Sequence, residues 1–525
     1  MNKFYITTAI VYGSSRPHIG NVYELIYADA IARFKRLLGY DVYFQTGIDE
    51  HGQKIEMKAK EQGLKPQDYV DNIVKQIKEE WDALNPSYDS FIRTTDPKHK
   101  QKVQAIFKKL YEQGDIYLGK YEGHYCTPCE SFFAESQLVD EKCPDCGRPV
   151  TKTGEEAYFL KLNKYVEQLI KHIEDNPGFI YPESRRNEMV NNFLKPGLQD
   201  LCVSRTSINW GIPVSFDDKH IIYVWIDALS NYITFLDYNA DGESGILFNK
   251  YWPADVHVIG KDIVRFHAIY WPIILMALNV PLPKKILGHS WLLNNNDKMS
   301  KSKGNAMYAS ELVKHFDVDA IRFYLLHETN INSDGVITYE LLIERTNSEL
   351  VNNLGNLLNR TLNMIKQYFN GAIPKQNKLT AIDKAFIEQA IKLPKQVEGK
   401  VNNYQISDAL DDIFKLFSSA NKYIEETAPW TLAKNEDQNA QLQTVIYNLA
   451  EAIRFGAVLL HPFLPTTAAK ILEQLNTTSN DWDSLTDFST YKFKDKINQP
   501  QILFARIDKE KKLNEIEVNY FPGNN

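Results

Sequence analysis

The sequence predicts an α/β protein with a parallel sheet, interrupted by a cysteine-bearing module and followed by an all-α helix bundle. Three observations predict it. Apolar, β-rich runs alternate with helical periodicity near the start and again after about Ile212. Four cysteines, Cys126-x2-Cys129 and Cys143-x2-Cys146, crowd into the irregular stretch between. Beyond Tyr339 strand patterns nearly vanish and apolar helical faces take over.

Phe4–Tyr12 reads as the first strand. Val22, Leu25, Ile26, Ala30, Phe34 and Leu37 then recur at helical spacing, and Gly39 ends that helix as glycine does at a C-terminus. Asp41–Asp49 is the next strand, and a polar helix starts after His51-Gly52. This βαβ unit favours a parallel sheet with ligands at the carboxyl ends of its strands. From about Tyr111 to Ile212 short strands and turns surround the cysteines. Ile221–Ile226 and Asp255–Ile259 then read as strands, each leading into an apolar helix, and Lys285–Leu293 as a third. In the last part Leu410, Ile413, Leu416, Phe417, Ala420 and Ile424 mark one buried helical face. Val445, Leu449, Ala452, Ile453 and Leu459 mark another, which ends before Pro462.

At 525 residues the chain is too long for one core. Its N-terminus runs straight into a strand pattern with no basic leader and apolar stretch, and no segment has the length of a membrane span. A cytoplasmic location without membrane attachment is expected. The net charge of −7 argues against indiscriminate polyanion binding, while leaving room for local basic clusters. Five cysteines, four of them in one stretch, are not the usage of a secreted disulfide scaffold.

Pro17-His18-Ile19-Gly20-Asn21 opens the first helix. A helix N-terminus offers unpaired N–H groups and partial positive charge to a phosphate, Gly20 permits close approach, and His18 and Asn21 can donate. A helix cap with an incidental histidine fits the tetrapeptide equally well. Lys298-Met299-Ser300-Lys301-Ser302 alone is a solvated lysine-serine loop; after a resumed βαβ pattern it could bring two ammonium groups to a pyrophosphate. Each Cys-x-x-Cys spans one edge of a tetrahedron, and four thiolates close a structural zinc site; a disulfide pair is the weaker alternative. Cys202 reads as a small buried hydrophobe. Asp49, closing a strand, suits a substrate ammonium group or caps the helix that follows, and Asp262, similarly placed, could receive a ribose hydroxyl or cap the next helix in the same way. Trp225, Tyr232, His267 and Trp271, taken singly, read as core as readily as pocket.

The tetrapeptide and the Lys-Met-Ser-Lys-Ser loop together resemble the signature pair of the class I aminoacyl-tRNA synthetases, with Asn21 where histidine is commoner. Longer strings resemble the methionyl-tRNA synthetases among them. These are Ile6-Thr7-Thr8-Ala9, Gly47-Ile48-Asp49-Glu50-His51-Gly52, Asn192–Leu198, Trp225-Ile226-Asp227-Ala228, Gly260-Lys261-Asp262-Ile263-Val264 and Ala428-Pro429-Trp430. The resemblance covers essentially the whole chain. It implies a Rossmann-type catalytic domain in two halves (1–110 and 216–285), a connective insert with a four-cysteine zinc knuckle (111–215), the lysine loop and stem-contact region (286–339) and an α-helical anticodon-binding domain (340–525).

By the same resemblance the methionine pocket comprises Ala9, Ile10, Tyr12, Asp49, Trp225, Ala228, Tyr232, Ile263 and His267, with Asp49 on the amino group. ATP, brought with Mg²⁺, lies against His18, Gly20, Asn21, Gly260 and Asp262, with Lys298 and Lys301 on its phosphates. Cys126, Cys129, Cys143 and Cys146 hold one structural Zn²⁺, and Asn356, Arg360 and Trp430 read the anticodon of initiator and elongator tRNA(Met). Val11 and Leu229, both where the family often has proline, depart from the pattern at the pocket wall.

The implied reaction joins methionine to ATP as methionyl-adenylate, releasing pyrophosphate, then passes methionyl to the terminal ribose of tRNA. Relatives for leucine, isoleucine and valine add a large editing domain to the insert, because a pocket separates similar apolar side chains by only about 1–3 kcal/mol. The insert here has no room for one. The cysteinyl relative needs an open metal position, which four cysteines do not leave. Two other readings stay open at this point, a nucleotidylyltransferase without tRNA and a silent RNA-binding relative. Nothing after the bundle resembles the C-terminal oligonucleotide-binding domain of some relatives, so a monomer is expected.

Overall fold

The computed structural model describes residues 2–520 except 130, 134, 145, 296, 300–304, 489–492 and 494–495. Two compact units emerge, one of Met1–Ala28, Asp41–Trp81 and Ser87–Trp291, the other of Asp29–Tyr40, Asp82–Pro86 and Leu292–Asn525.

The first unit is built on a seven-stranded sheet whose registered pairs are all parallel. Its strands lie in the order Ser90–Arg93, Asp41–Asp49, Lys3–Thr8, Val256–Gly260, Ile286–His289, Ile180–Tyr181. The predicted first strand breaks after Thr8, and its remainder, Val11–Tyr12, pairs with Ile48–Asp49 further along the same neighbour. Successive strands step outward in opposite directions from Lys3–Thr8 and Val256–Gly260. The crevice beyond the carboxyl ends of these two strands is therefore the topological switch point, where open α/β sheets bind ligands. The helix Ile19–Leu37 follows the predicted face, with Val22, Leu25, Ile26, Ala30 and Phe34 buried, and Gly39 takes the left-handed φ of 77° that ends it.

Between the halves stands a four-stranded antiparallel sheet dominated by the Ile116–Cys126 and Thr151–Leu160 pair. The predicted strand Ile221–Ile226 is corrected. The strand is Asp217–Ile222, antiparallel in a small separate sheet, and a helix, Val224–Thr234, begins after Tyr223. Trp225 is thus helical. Lys285–Leu293 also divides: Ile286–His289 lies in the parallel sheet between Val256–Gly260 and Ile180–Tyr181, and Leu292–Asn294 belongs to the second unit.

The second unit holds a three-stranded sheet and then helices, including Asn356–Phe369, Ala381–Asn402, Ile406–Thr427 and Asn439–Leu460. Both predicted apolar faces are buried. Asn439–Leu460 is enclosed nearly all round, so its charges need partners: Glu451 and Arg454, both fully buried, form a bidentate pair at 2.6 and 2.9 Å. No described helix is long and apolar enough to cross a membrane.

Candidate active site

Around the switch point the first helix opens with a closed loop of hydrogen bonds. The Gly20 amide donates to His18 Nδ1 at 3.1 Å, the His18 amide to Asn21 Oδ1 at 3.2 Å and the Asn21 amide to the His18 carbonyl at 2.9 Å. A neutral His18 whose Nδ1 accepts carries its proton on Nε2, the tautomer that can donate to an anion. Beyond Val256–Gly260, Asp262 accepts from the Trp291 indole at 2.9 Å, and the Lys261 ammonium lies 3.8 Å from that ring's centroid. Two groups that sequence reasoning did not single out join here. Glu24 accepts from the Ala9 amide at 2.7 Å, and its other oxygen is 3.0 Å from His289 Nε2. A 265-residue separation leaves no spacing signal for such a pair.

A second group of side chains surrounds the strand ends with aromatic surface. The Tyr232 hydroxyl donates to His267 Nε2 at 2.7 Å, and His267 Nδ1 donates to the Ile263 carbonyl at 3.0 Å. Burial pushes the His267 imidazole down to about 4, so it is neutral near pH 7 and its tautomer is set by these two bonds. His267 sits in a π-helical turn, Phe266–Tyr270, which also stacks Phe266 on Trp225 at 3.7 Å between ring centroids. Ala228 and Leu229 are buried on the Trp225 helix; Ala9, Ile10, Val11, Tyr12 and Ile263 are half-buried. Asp49, 7% exposed, is in register with Tyr12, and its carbonyl accepts from the Gly13 amide at 2.7 Å.

Beneath this group runs a buried chain. His51 Nδ1 donates to Asp227 Oδ2 at 2.6 Å and His99 Nε2 to Asp227 Oδ1 at 2.7 Å, leaving His99 Nδ1 to accept from the Thr234 hydroxyl at 2.7 Å. Burial works to raise the Asp227 carboxyl, but the two imidazoles outweigh it and hold it below the usual carboxylate range. Two of the strings read in the sequence therefore meet through His51 and Asp227. Arg205, also not singled out, lines a cavity beside His51 with its guanidinium 4.0 Å from the Tyr125 ring centroid.

The cysteine ligand atoms all lie within 4.8 Å of one another, with Sγ–Sγ distances of 3.6 Å for Cys126–Cys146 and 3.9 Å for Cys129–Cys143. Disulfides, at about 2.05 Å, are excluded. A tetrahedron with Zn–S bonds of about 2.3 Å spaces its sulfurs ~3.8 Å apart, so the four thiols fit such a metal. Cys126 and Cys129 flank the turn into Ser131–Phe133. Cys143 and Cys146 lie on a second turn closed by Gly147, at a φ of 68° that favours glycine. Burial raises the Cys126 thiol to about 12 and Cys129 also upward, so a bound metal cation would be needed to make thiolates of these two.

Lys298 is exposed at the end of a two-residue strand in the second unit; Lys301 lies outside the described residues. In the bundle, Asn356 and Arg360 stand one helical turn apart, and Arg360 pairs with Glu425 at 2.6 Å. Trp430 is 41% exposed on the short helix that Ala428, in a left-handed conformation, and Pro429 begin.

Comparison with known proteins agrees with this architecture. The family described as tRNA synthetases class I (M) matches residues 4–153 and 148–362, and the anticodon binding domain of methionyl tRNA ligase matches 373–522. A methionine–tRNA ligase of Clostridium tetani is 58% identical over 518 residues, covering 98% of this chain and 80% of the relative. One from Bacillus subtilis is 48% identical over 537 residues, covering 99% and 80%. A Mycobacterium tuberculosis methionyl-tRNA synthetase solved in complex with methionyl-adenylate superposes with a TM-score of 0.92 at 39% identity, over 96% of this chain and all of that one. Matched by family over both its parts and by relatives along nearly its whole length, the chain belongs to the methionyl-tRNA synthetases, the class I methionine–tRNA ligases.

Proposed function

We propose that the residues at the switch point divide the ligase reaction among themselves as follows. Asp49 holds the ammonium of methionine. Trp225, Ala228, Tyr232, Ile263 and His267, with Ala9, Ile10 and Tyr12, enclose its thioether. His18, Gly20, Asn21, Gly260 and Asp262 hold ATP as its Mg²⁺ complex, and Lys298 and Lys301 neutralise the departing pyrophosphate. The observation that carries this reading is the neutral, buried Tyr232–His267 pair among aromatic rings: it is polar enough to orient one sulfur yet too dry to favour a charged side chain. No step needs a protein nucleophile. Alignment of the carboxylate with the α-phosphorus and electrostatic stabilisation of the pentavalent state supply the rate.

The four cysteines hold one structural Zn²⁺, a role supported by sulfur spacings that match a tetrahedral tetrathiolate. Its bond energy stabilises the fold of residues 126–146, and the cysteines leave it no open position for chemistry. The five-part division given above describes the working parts of the chain. Asn356, Arg360 and Trp430 read the anticodon of initiator and elongator tRNA(Met), with Trp430 as a stacking platform. Charging of unfractionated tRNA with each labelled amino acid tests the reading. Methionine alone is incorporated; incorporation of another amino acid instead, or of none, refutes it.

Two variants separate the roles. Lys301→Ala slows adenylate formation far more than it weakens methionine binding, measured by pre-steady-state exchange and by titration; comparable losses in both sink the assignment. Trp430→Ala weakens charging by the worth of one base stack, about 1–3 kcal/mol, while exchange is spared. Equal damage to both assays makes Trp430 structural.

A further inference from the structure

We propose that Arg265 is a positioning residue for methionine binding, tying the wall of the methionine pocket to the four-cysteine tip. The proposal rests on the pocket and the metal site assigned above and adds a physical link between the two.

The Arg265 guanidinium is caged by three phenylalanine rings. Its central carbon lies 5.9 Å from the ring centroid of Phe133, 5.4 Å from that of Phe193 and 5.3 Å from that of Phe266. All three distances fall within the roughly 6 Å over which an aromatic face attracts a cation. A guanidinium suits this half-buried place because it is planar and weakly hydrated, whereas a lysine ammonium holds its water tightly. The rings come from three separate parts of the chain. Phe133 ends the short strand Ser131–Phe133 of the tip, Phe193 lies in the π-helical turn Met189–Leu194, and Phe266 opens the π-helical turn Phe266–Tyr270.

Two of these rings make a second contact that gives the cage its role. Phe133, 2% exposed, packs with Cys126 and Cys143 in the buried core of the tip. Phe266 stacks face to face on Trp225, with centroids 3.7 Å apart and planes 8° from parallel. The next residue, His267, meets Trp225 edge-on at 6.2 Å and accepts from the Tyr232 hydroxyl at 2.7 Å. Arg265 directly precedes both, so its side chain anchors the start of the turn that places two pocket groups. A continuous run of packed side chains therefore leads from the cysteines through Phe133, Arg265 and Phe266 to Trp225, all within the first unit. An ordered tip holds the Phe133 ring against the guanidinium. When that ring is displaced, the cage loses one wall, Phe266 is held less firmly against Trp225, and the affinity for methionine falls.

The test is a double-mutant cycle read by equilibrium dialysis of labelled methionine without ATP, on preparations whose metal content is measured. Arg265→Met removes the charge and keeps an apolar stem, and Phe133→Leu removes the ring face and keeps the tip core filled. Each single variant weakens methionine binding by about fivefold, the size of one partly desolvated contact between a cation and a ring. The double variant is no weaker than the weaker single one, because both changes break the same link. Residues that merely support the fold would give independent losses that multiply, about 25-fold in the double variant, and that result overturns the proposal. Unchanged affinity in either single variant also overturns it. Stripping the metal with a chelator asks the same question without touching Phe133, and it decides the matter should Phe133→Leu fail to fold. Methionine binding then weakens in the unmodified protein and weakens no further in Arg265→Met; an equal loss in both, or none in the unmodified protein, overturns the proposal. Failure of the unmodified, metal-loaded protein to bind methionine at all refutes instead the pocket proposed above.

Discussion

Asp49→Asn lowers kcat/KM for methionine in pyrophosphate exchange by about 10²-fold or more, with the fold intact. The carboxylate is almost wholly buried at a strand end, so the ammonium proposed to bind there would meet it with little water between them. Truncating one partner of a buried, hydrogen-bonded charge pair costs about 2–5 kcal/mol, and every 1.4 kcal/mol is tenfold. The amide keeps the size of the side chain and leaves the backbone bonds untouched, including the Gly13 amide to the Asp49 carbonyl and the pairing of Tyr12 with Asp49. The loss therefore reads out in methionine and not in folding. Steady-state exchange over a range of methionine concentrations, with thermal unfolding of the same preparations, measures both. A loss below about threefold would remove Asp49 from the ammonium site.

The second large effect is expected at the metal centre. Replacing Cys126 and Cys143 by alanine takes one ligand from each Cys-x-x-Cys pair, and metal content drops from one per chain to near zero. Among the described residues the buried core of this tip is Cys126, Phe133 and Cys143, with Leu138 and Val150 packed against it, which is too little apolar surface to order two turns. Structural Zn²⁺ contributes about 10–16 kcal/mol in small zinc modules, so its loss unfolds the tip. Limited proteolysis between 126 and 150 becomes fast, while the Ile116–Cys126 and Thr151–Leu160 pairing persists nearer the parallel sheet. Unchanged protease resistance in a metal-free variant would show that the tip folds without the ion.

Much of the fold was legible because periodic signals are local. The helix Ile19–Leu37 carries its buried face in its own spacing, and the bundle helices do the same. The cysteine spacing announced a tetrahedral site before any distance was known. Ile221–Ile226 misled because a run of β-branched and aromatic residues has strand propensity throughout. The helix starts at Val224 because there Trp225 stacks on Phe266 and Tyr232 reaches His267, contacts made with residues far along the sequence. The His51–Asp227–His99 chain was out of reach for another reason. Its members are 176 and 128 residues apart, and a single aspartate or histidine has no period. The strings resembling known synthetases contained His51 and Asp227, but only the folded chain shows that they touch.

The measurement that bears most directly on the central claim is amino-acid-dependent ATP–pyrophosphate exchange, run with zinc-loaded protein and each of the twenty amino acids separately, without tRNA. Exchange that strongly favours methionine is the predicted result, because the site proposed here, the neutral Tyr232–His267 pair among aromatic rings together with the Asp49 carboxylate, suits that side chain and that ammonium. A correctly folded sample that exchanges with none of them, or equally well with leucine or isoleucine, would contradict the account.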